Sequence, residues 1–149
     1  MAYLVDTSIL MRLANVTDAK FAEADRATAV LEQRGETLHL TAQNLIEFCN
    51  AATRPKALNG LGLTILETEA KAAIFESTFS LLKESPDIFP AWKALVTKIG
   101  VIGKTVHDAR LVAVCHVHSV THLLTFNTAH FMTMVKFGPG LIVVDPANV

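Results

Sequence analysis

The sequence predicts an α/β fold, a three-layer α/β/α sandwich around a central, mainly parallel sheet. Three observations point to it. Short apolar runs alternate with longer helical stretches along the 149 residues. The runs YLV, HLLTF and LIVV show no strict polar alternation, as expected of strands buried on both faces. Helix-length segments separate them, which implies right-handed crossovers and helices on both sides of the sheet.

Tyr3 to Val5 is a first strand that stops at Asp6, and Thr7 to Leu13 can turn directly into a helix. Asp18 to Arg34 reads as helix, with Phe21, Ala24, Ala27, Val30 and Leu31 at helical spacing and Gly35 as its C-terminal stop. Thr37 to Leu40 is a second strand. Thr41 opens a helix whose apolar face includes Leu45, Phe48, Cys49 and Ala52. Pro55, Asn59, Gly60 and Gly62 form the one clear break, too short for a domain linker. Glu67 to Lys83 predicts a further helix ended by Ser85-Pro86, and Ala91 to Ile99 another. Gly100 and Gly103 precede a strongly helical stretch from Thr105 to His116. Thr121 to Phe126 and Leu141 to Val144 return to strand, with Gly138, Pro139 and Gly140 as the turn between them.

The length suits one domain over residues 1–149. A chain that is 51% hydrophobic and 18% charged excludes a disordered polymer, and its apolar content hints at a covered partner surface. A net charge of −1 gives no general basic field, so any nucleic-acid contact must use a local patch or a metal ion. Cys49 and Cys115 lie in apolar stretches and read as buried, reduced thiols. Without a disulfide framework or a basic, apolar leader, the expected location is the cytoplasm. No run approaches the roughly 18 apolar residues of a membrane span.

Three acids break an apolar context. Asp6 follows a strand directly, Glu47 sits between Ile46 and Phe48, and Asp108 starts the run DARLVAVCHV. A carboxylate so embedded is costly to desolvate unless it is paired or metal-bound. Each has a simpler alternative. Asp6 is placed to N-cap the helix at Thr7. Thr105 and Asp108 have the spacing of a capping box. Glu47 has Arg110 or Arg12 as candidate partners. Taken together, they have the chemistry to hold a hard divalent cation, which prefers oxygen ligands. Ligands bind outside the carboxyl ends of parallel strands, and that rule selects Asp6 after the first strand and Asn127 after HLLTF.

With YLVDTSIL, TAQNLIEFCN, VHDARLVAVCHVHSV and HLLTFNTAHF in this order, the chain resembles the PIN-domain family, in particular the VapC-type toxins. The resemblance spans nearly the whole chain. It implies a parallel sheet flanked by helices and a Mg2+- or Mn2+-dependent endoribonuclease. It also implies a homodimer, with an antitoxin whose tail reaches the active site. By the same resemblance Asp6, Glu47 and Asp108 match the three acidic metal ligands, and the hydroxyl of Thr7 or Ser8 supports the metal. Asn127 matches a fourth polar position, where many members carry an acid or add one just downstream; this chain has Asn127 and then His130. The missing charge argues for one cation rather than two.

For substrate, Arg12, Lys104 and His107 are candidates to meet phosphate, as are Arg54, Lys93 and Lys98. Trp92 or a phenylalanine is a candidate to stack an unpaired base; each has a solvated-face or core alternative. The late histidines His107, His116, His118, His122 and His130 match no zinc spacing. The segment from Gly60 to Thr64 lacks the Lys and preceding strand of a phosphate loop, and no acidic pair follows the first strand as a phosphoacceptor domain needs. The competing function is a module of the same fold that binds RNA or protein without cutting.

Overall fold

A computed structural model describes residues 1–136 and 140–149. Its elements follow in the order β1 (Ala2–Val5), α1 (Thr7–Leu13), α2 (Phe21–Gln33), β2 (Thr37–Leu40), α3 (Ala42–Thr53), α4 (Ile65–Thr78), β3 (Ser80–Leu81), α5 (Ile88–Ile99), α6 (Thr105–Val117), β4 (His122–Leu124), α7 (Thr128–Val135) and β5 (Ile142–Val144). Short 3-10 turns cover Lys56–Leu58 and Pro146–Asn148. The strands form one sheet in the order β3-β2-β1-β4-β5, and every pairing is parallel.

Alternation along β1 sets the layers. Tyr3 and Val5 join one core cluster with residues of α1 to α4, including Ile9, Leu31, Phe48 and Phe75. Leu4 points the other way, into a cluster with Leu111, Val112, Cys115, Phe131 and Met134 from α6 and α7. Leu123 and Leu124 of β4 divide in the same manner. Both faces of the central strands are therefore buried, as the apolar character of YLV and HLLTF implied; LIVV departs from that expectation, because β5 lies at the sheet edge and leaves Ile142 52% exposed. Cys115 lies in the second cluster, where burial pushes its thiol up to about 12, and Cys49 is half-buried.

Several boundaries differ from the sequence reading. The helix expected over 67–83 spans Ile65–Thr78, with a capping box of Thr64 and Glu67 at its start. It ends early because Phe79 turns into the core in an extended conformation, and the next two residues pair with β2 as an edge strand. The helix expected from Asp18 begins at Phe21, since Asp18 closes a turn by accepting from the Lys20 amide. α7 is an additional short helix. The proposed turn at Gly138 and Pro139 lies outside the described residues; Gly140 is described, with φ +73°.

Two glycines are required by geometry. Gly35 follows α2 at φ +73°, the left-handed conformation that ends a helix cheaply only without a Cβ. Gly60 packs so closely that a Cβ would stand 1.9 Å from the Arg54 carbonyl oxygen.

Candidate active site

The chain leaves β1 in one direction to reach β2 and lies beside β4 in the other, so the order of strands switches between β1 and β4. Crevices at the carboxyl ends of strands open at such a point. Asp6 stands there: its amide donates to the Leu124 carbonyl at 3.0 Å, extending the β1–β4 ladder by one residue.

The Asp6 carboxylate is 4% exposed and N-caps α1 by accepting from the Ser8 amide. The Ser8 hydroxyl at 2.6 Å and the Thr125 hydroxyl at 2.7 Å both donate to Oδ2. Each hydroxyl oxygen also accepts a backbone N–H, from Phe126 and Asn127 respectively, and the two hydroxyls stand 3.3 Å apart. These contacts fall on Oδ2 and leave Oδ1 to other partners. Burial holds the Asp6 carboxyl above its ordinary pKa of 3.8, against the Ser8 and Thr125 hydrogen bonds that lower it. The capping alternative is thus realised, and it leaves the group able to act as a ligand.

Glu47 sits on α3, which Thr41 and Asn44 start with a reciprocal capping box. The Asn44 amide also donates to the Thr7 hydroxyl at 3.3 Å, and Thr7 donates to Glu47 Oε2 at 2.9 Å. Gln43 donates to Glu47 Oε1 and to the His107 carbonyl, each at 2.7 Å, tying α3 to α6. Neither suggested ion pair forms: Arg110 meets Glu84 and Arg12 meets Asp18.

Asp108 is the fourth residue of α6. The helix starts one residue earlier than a Thr105 cap requires, with Lys104 at the cap position and no side-chain capping bond, so the capping-box alternative fails. Its Oδ2 stands 2.8 Å from His130 Nε2 on α7. Asn127 precedes α7 and makes no side-chain capping bond there.

Asp6, Glu47, Asp108 and Asn127 line one open depression of about 420 Å³. Thr7 and Ser8 contribute to its floor, and Arg54, Lys104 and His107 also reach it. Arg12 is not among the lining residues; Asp18 holds its guanidinium at 2.9 Å in the bend between α1 and α2. Lys93 and Lys98 do not line it either. Among the described residues, no three His, Cys, Asp or Glu side chains stand close enough to form a ready-made ion cage. The donors are nonetheless hard oxygens on one wall, and no Lys or Arg ion pair occupies the three carboxylates among the described residues. That donor set fits a divalent cation of the magnesium type, which keeps several waters and needs few protein ligands.

Thr125 and Gln43 lie outside the lining but hold two of its carboxylates, and Arg54, already a candidate from the sequence, lines it. Thr125 follows β4 directly, a polar residue visible in HLLTF; Gln43 stands one helical turn before Glu47, a spacing the sequence does show, and it also meets His107 and Arg110 on α6.

The PIN domain profile matches residues 3–133. No curated protein matches the chain. Among solved structures, VapBC2 from Rickettsia felis, bound to a DNA fragment from its promoter, superposes with a TM-score of 0.73 at 18% identity, over 97% of this chain and 98% of that one. VapC20 of Mycobacterium tuberculosis, a toxin that cleaves the sarcin–ricin loop, gives 0.65 at 20% identity over 87% and 93%. A toxin–antitoxin complex from Klebsiella pneumoniae gives 0.62 at 24% identity, over 99% of each chain. These structures share the fold, and the profile extends through β1, α3, α6 and most of α7, the elements that carry the pocket. The chain belongs to the PIN-domain family.

Proposed function

We propose that this protein is a divalent-cation-dependent endoribonuclease, the toxin of a type II toxin–antitoxin pair, acting in the cytoplasm as a single-domain protomer of a homodimer. The observation that carries the reading is that Asp6, Glu47 and Asp108, from three distant stretches, line the same pocket at the carboxyl edge of a parallel sheet.

In this reading Asp6, Glu47 and Asp108 hold Mg2+ or Mn2+, and Asn127 adds a neutral oxygen. When bound, the cation supplies Lewis acidity: it lowers the pKa of a coordinated water and offsets charge building on the phosphodiester. Three acids rather than four favour one cation. Ser8 and Thr125 hold Asp6 in orientation, and Thr7 with Gln43 holds Glu47. Lys104 and Arg54 supply the positive rim that phosphate oxygens meet, offsetting the carboxylates beneath, and His107 stands beside them. Arg12, paired with Asp18, is a more remote contributor to RNA binding.

The partner reading draws on the toxin–antitoxin structures that share this fold and on exposed apolar side chains of this chain. Leu58, Ile65, Leu66 and Ile74 lie on the 3-10 turn and α4, each more than half exposed, where an antitoxin segment would cover them. No helix among the described residues is long and apolar enough to cross a membrane.

Incubating purified protein with structured RNA and Mn2+ or Mg2+ tests the activity. The expected result is internal cleavage that stops with a chelator and with Asp6→Asn. Equal behaviour of wild type and Asp6→Asn overturns it. Asn127 and the His130 contact to Asp108 favour a second reading, a module that binds RNA without cutting, and binding without metal-dependent cleavage selects it.

A further inference from the structure

Two further depressions adjoin the carboxylate pocket. One lies between α3 and α6 and shares Glu47, Asn50 and His107 with it. The next, about 460 Å³, shares Glu84, His107 and Arg110 with the first and is walled by Phe89 and Trp92. His107 borders all three, so the depressions adjoin one another from the acids to an aromatic wall.

The wall is built to present a ring. Phe89 and Trp92, one helical turn apart on α5, stack with centroids 5.5 Å apart and planes 28° apart. Trp92 donates its indole N–H to the Val106 carbonyl at 2.8 Å, which fixes the ring and satisfies its polar atom. Phe89 is 65% exposed and belongs to neither core cluster. Between this wall and the carboxylates stand Arg110, His107 and Gln43, side chains that suit a charged backbone better than an apolar peptide.

We propose that Phe89 and Trp92 form a stacking shelf for one unpaired base of a single-stranded RNA, next to the nucleotide whose phosphate sits at Asp6, Glu47 and Asp108. The inference rests on the ribonuclease reading of that pocket. Every base has a π-face, so the shelf gives affinity with little sequence preference, while Arg110 and His107 meet the intervening phosphate. Glu84 holds Arg110 at 2.7 Å in the free protein and is 58% exposed, so the strand displaces an exposed carboxylate rather than breaking a buried pair.

Trp92 is the sole tryptophan, which makes the shelf its own reporter. The probe is a single-stranded RNA 2′-O-methylated throughout, so that it binds without being cut. Titration is expected to quench Trp92 fluorescence saturably, and an oligonucleotide of the same length that is abasic throughout is expected to leave it unquenched. Phe89→Ala is expected to weaken binding roughly tenfold and Phe89→Tyr to restore it. Phe89 is outside the core, so unchanged melting of Phe89→Ala is the control for folding. An absent quench, or equal affinity of wild type and Phe89→Ala, overturns the shelf. So does a Phe89→Ala protein that changes from dimer to monomer while binding RNA normally, because a second copy then covers the wall. The two readings fail separately: quenching is read without cleavage, and cleavage with an unchanged KM in Phe89→Ala sinks only the shelf.

Discussion

His130 Nε2 lies 2.8 Å from Asp108 Oδ2, a contact between the first turn of α6 and α7 that takes up one oxygen of a candidate ligand. Both side chains are partly exposed, 42% and 30%, so the pair adds little to stability. Its consequence is competition, since a cation at Asp108 must share or displace the imidazole. His130→Ala is therefore expected to leave the metal-free melting temperature nearly unchanged and to enlarge the thermal shift at a fixed, subsaturating Mn2+ concentration. An equal or smaller shift would mean that the imidazole works with the cation.

Thr7 is the one hydroxyl among the described residues that donates to Glu47, and Asn44 secures it in turn. Such supporting bonds orient a ligand before the ion arrives. Thr7→Val keeps the shape and removes the bond. The expected cost is on the order of 10–100-fold in metal affinity or cleavage rate, read by Mn2+ titration and an RNA cleavage time course.

Asp6 carries a conflict between folding and function. Burial raises its carboxyl pKa, so the charged form that a cation needs is disfavoured in the metal-free fold. Asp6→Asn retains an oxygen to accept from Ser8 and Thr125. It is expected to raise the metal-free melting temperature, because it removes the charge that burial disfavours. Metal-induced stabilisation and cleavage should both disappear. Differential scanning fluorimetry with and without Mn2+ separates the effects; a lower metal-free melting temperature contradicts the conflict.

Two histidines set an acid limit on stability. Burial lowers the pKa of His39 and of His122 below the ordinary 6.5, and His122 also stacks on Tyr3 at 4.5 Å. The unfolded chain takes up protons near pH 6.5 that the folded chain refuses, so their stabilising contribution is complete above that pH. It is lost as pH falls from about 6.5 through the lower folded-state values. Urea midpoints are expected to fall between pH 7.5 and 5.5, and His122→Phe should flatten part of the slope. A midpoint that rises on acidification would refute the assignment.

The acids themselves were legible in the sequence because a carboxylate stands out against apolar neighbours, and Asp6 and Asn127 followed from the rule about strand ends. Their partners were less legible. Arg110 and Arg12 looked suited to Glu47, yet each pairs with another acid, Glu84 or Asp18. Thr125 took a supporting place through a bond that joins distant stretches, and Gln43, one helical turn from Glu47, gains its tertiary role from the added bond to His107.

By itself the sequence determined the layered α/β class, the doubly buried central strands and the chemical type of the candidate donors, because periodicity and solvation act locally along the chain. Tertiary structure decided where α4 stops, since the burial of Phe79 and the pairing of Ser80–Leu81 with β2 outweighed the helical pattern. It also decided which contacts Asp108 and Glu47 make, and that Phe89 and Trp92 wall the last of the adjoining depressions that start at the acids. Those relations depend on how α3, α5, α6 and α7 pack around the sheet, and side chains brought together by packing leave no spacing to read in advance.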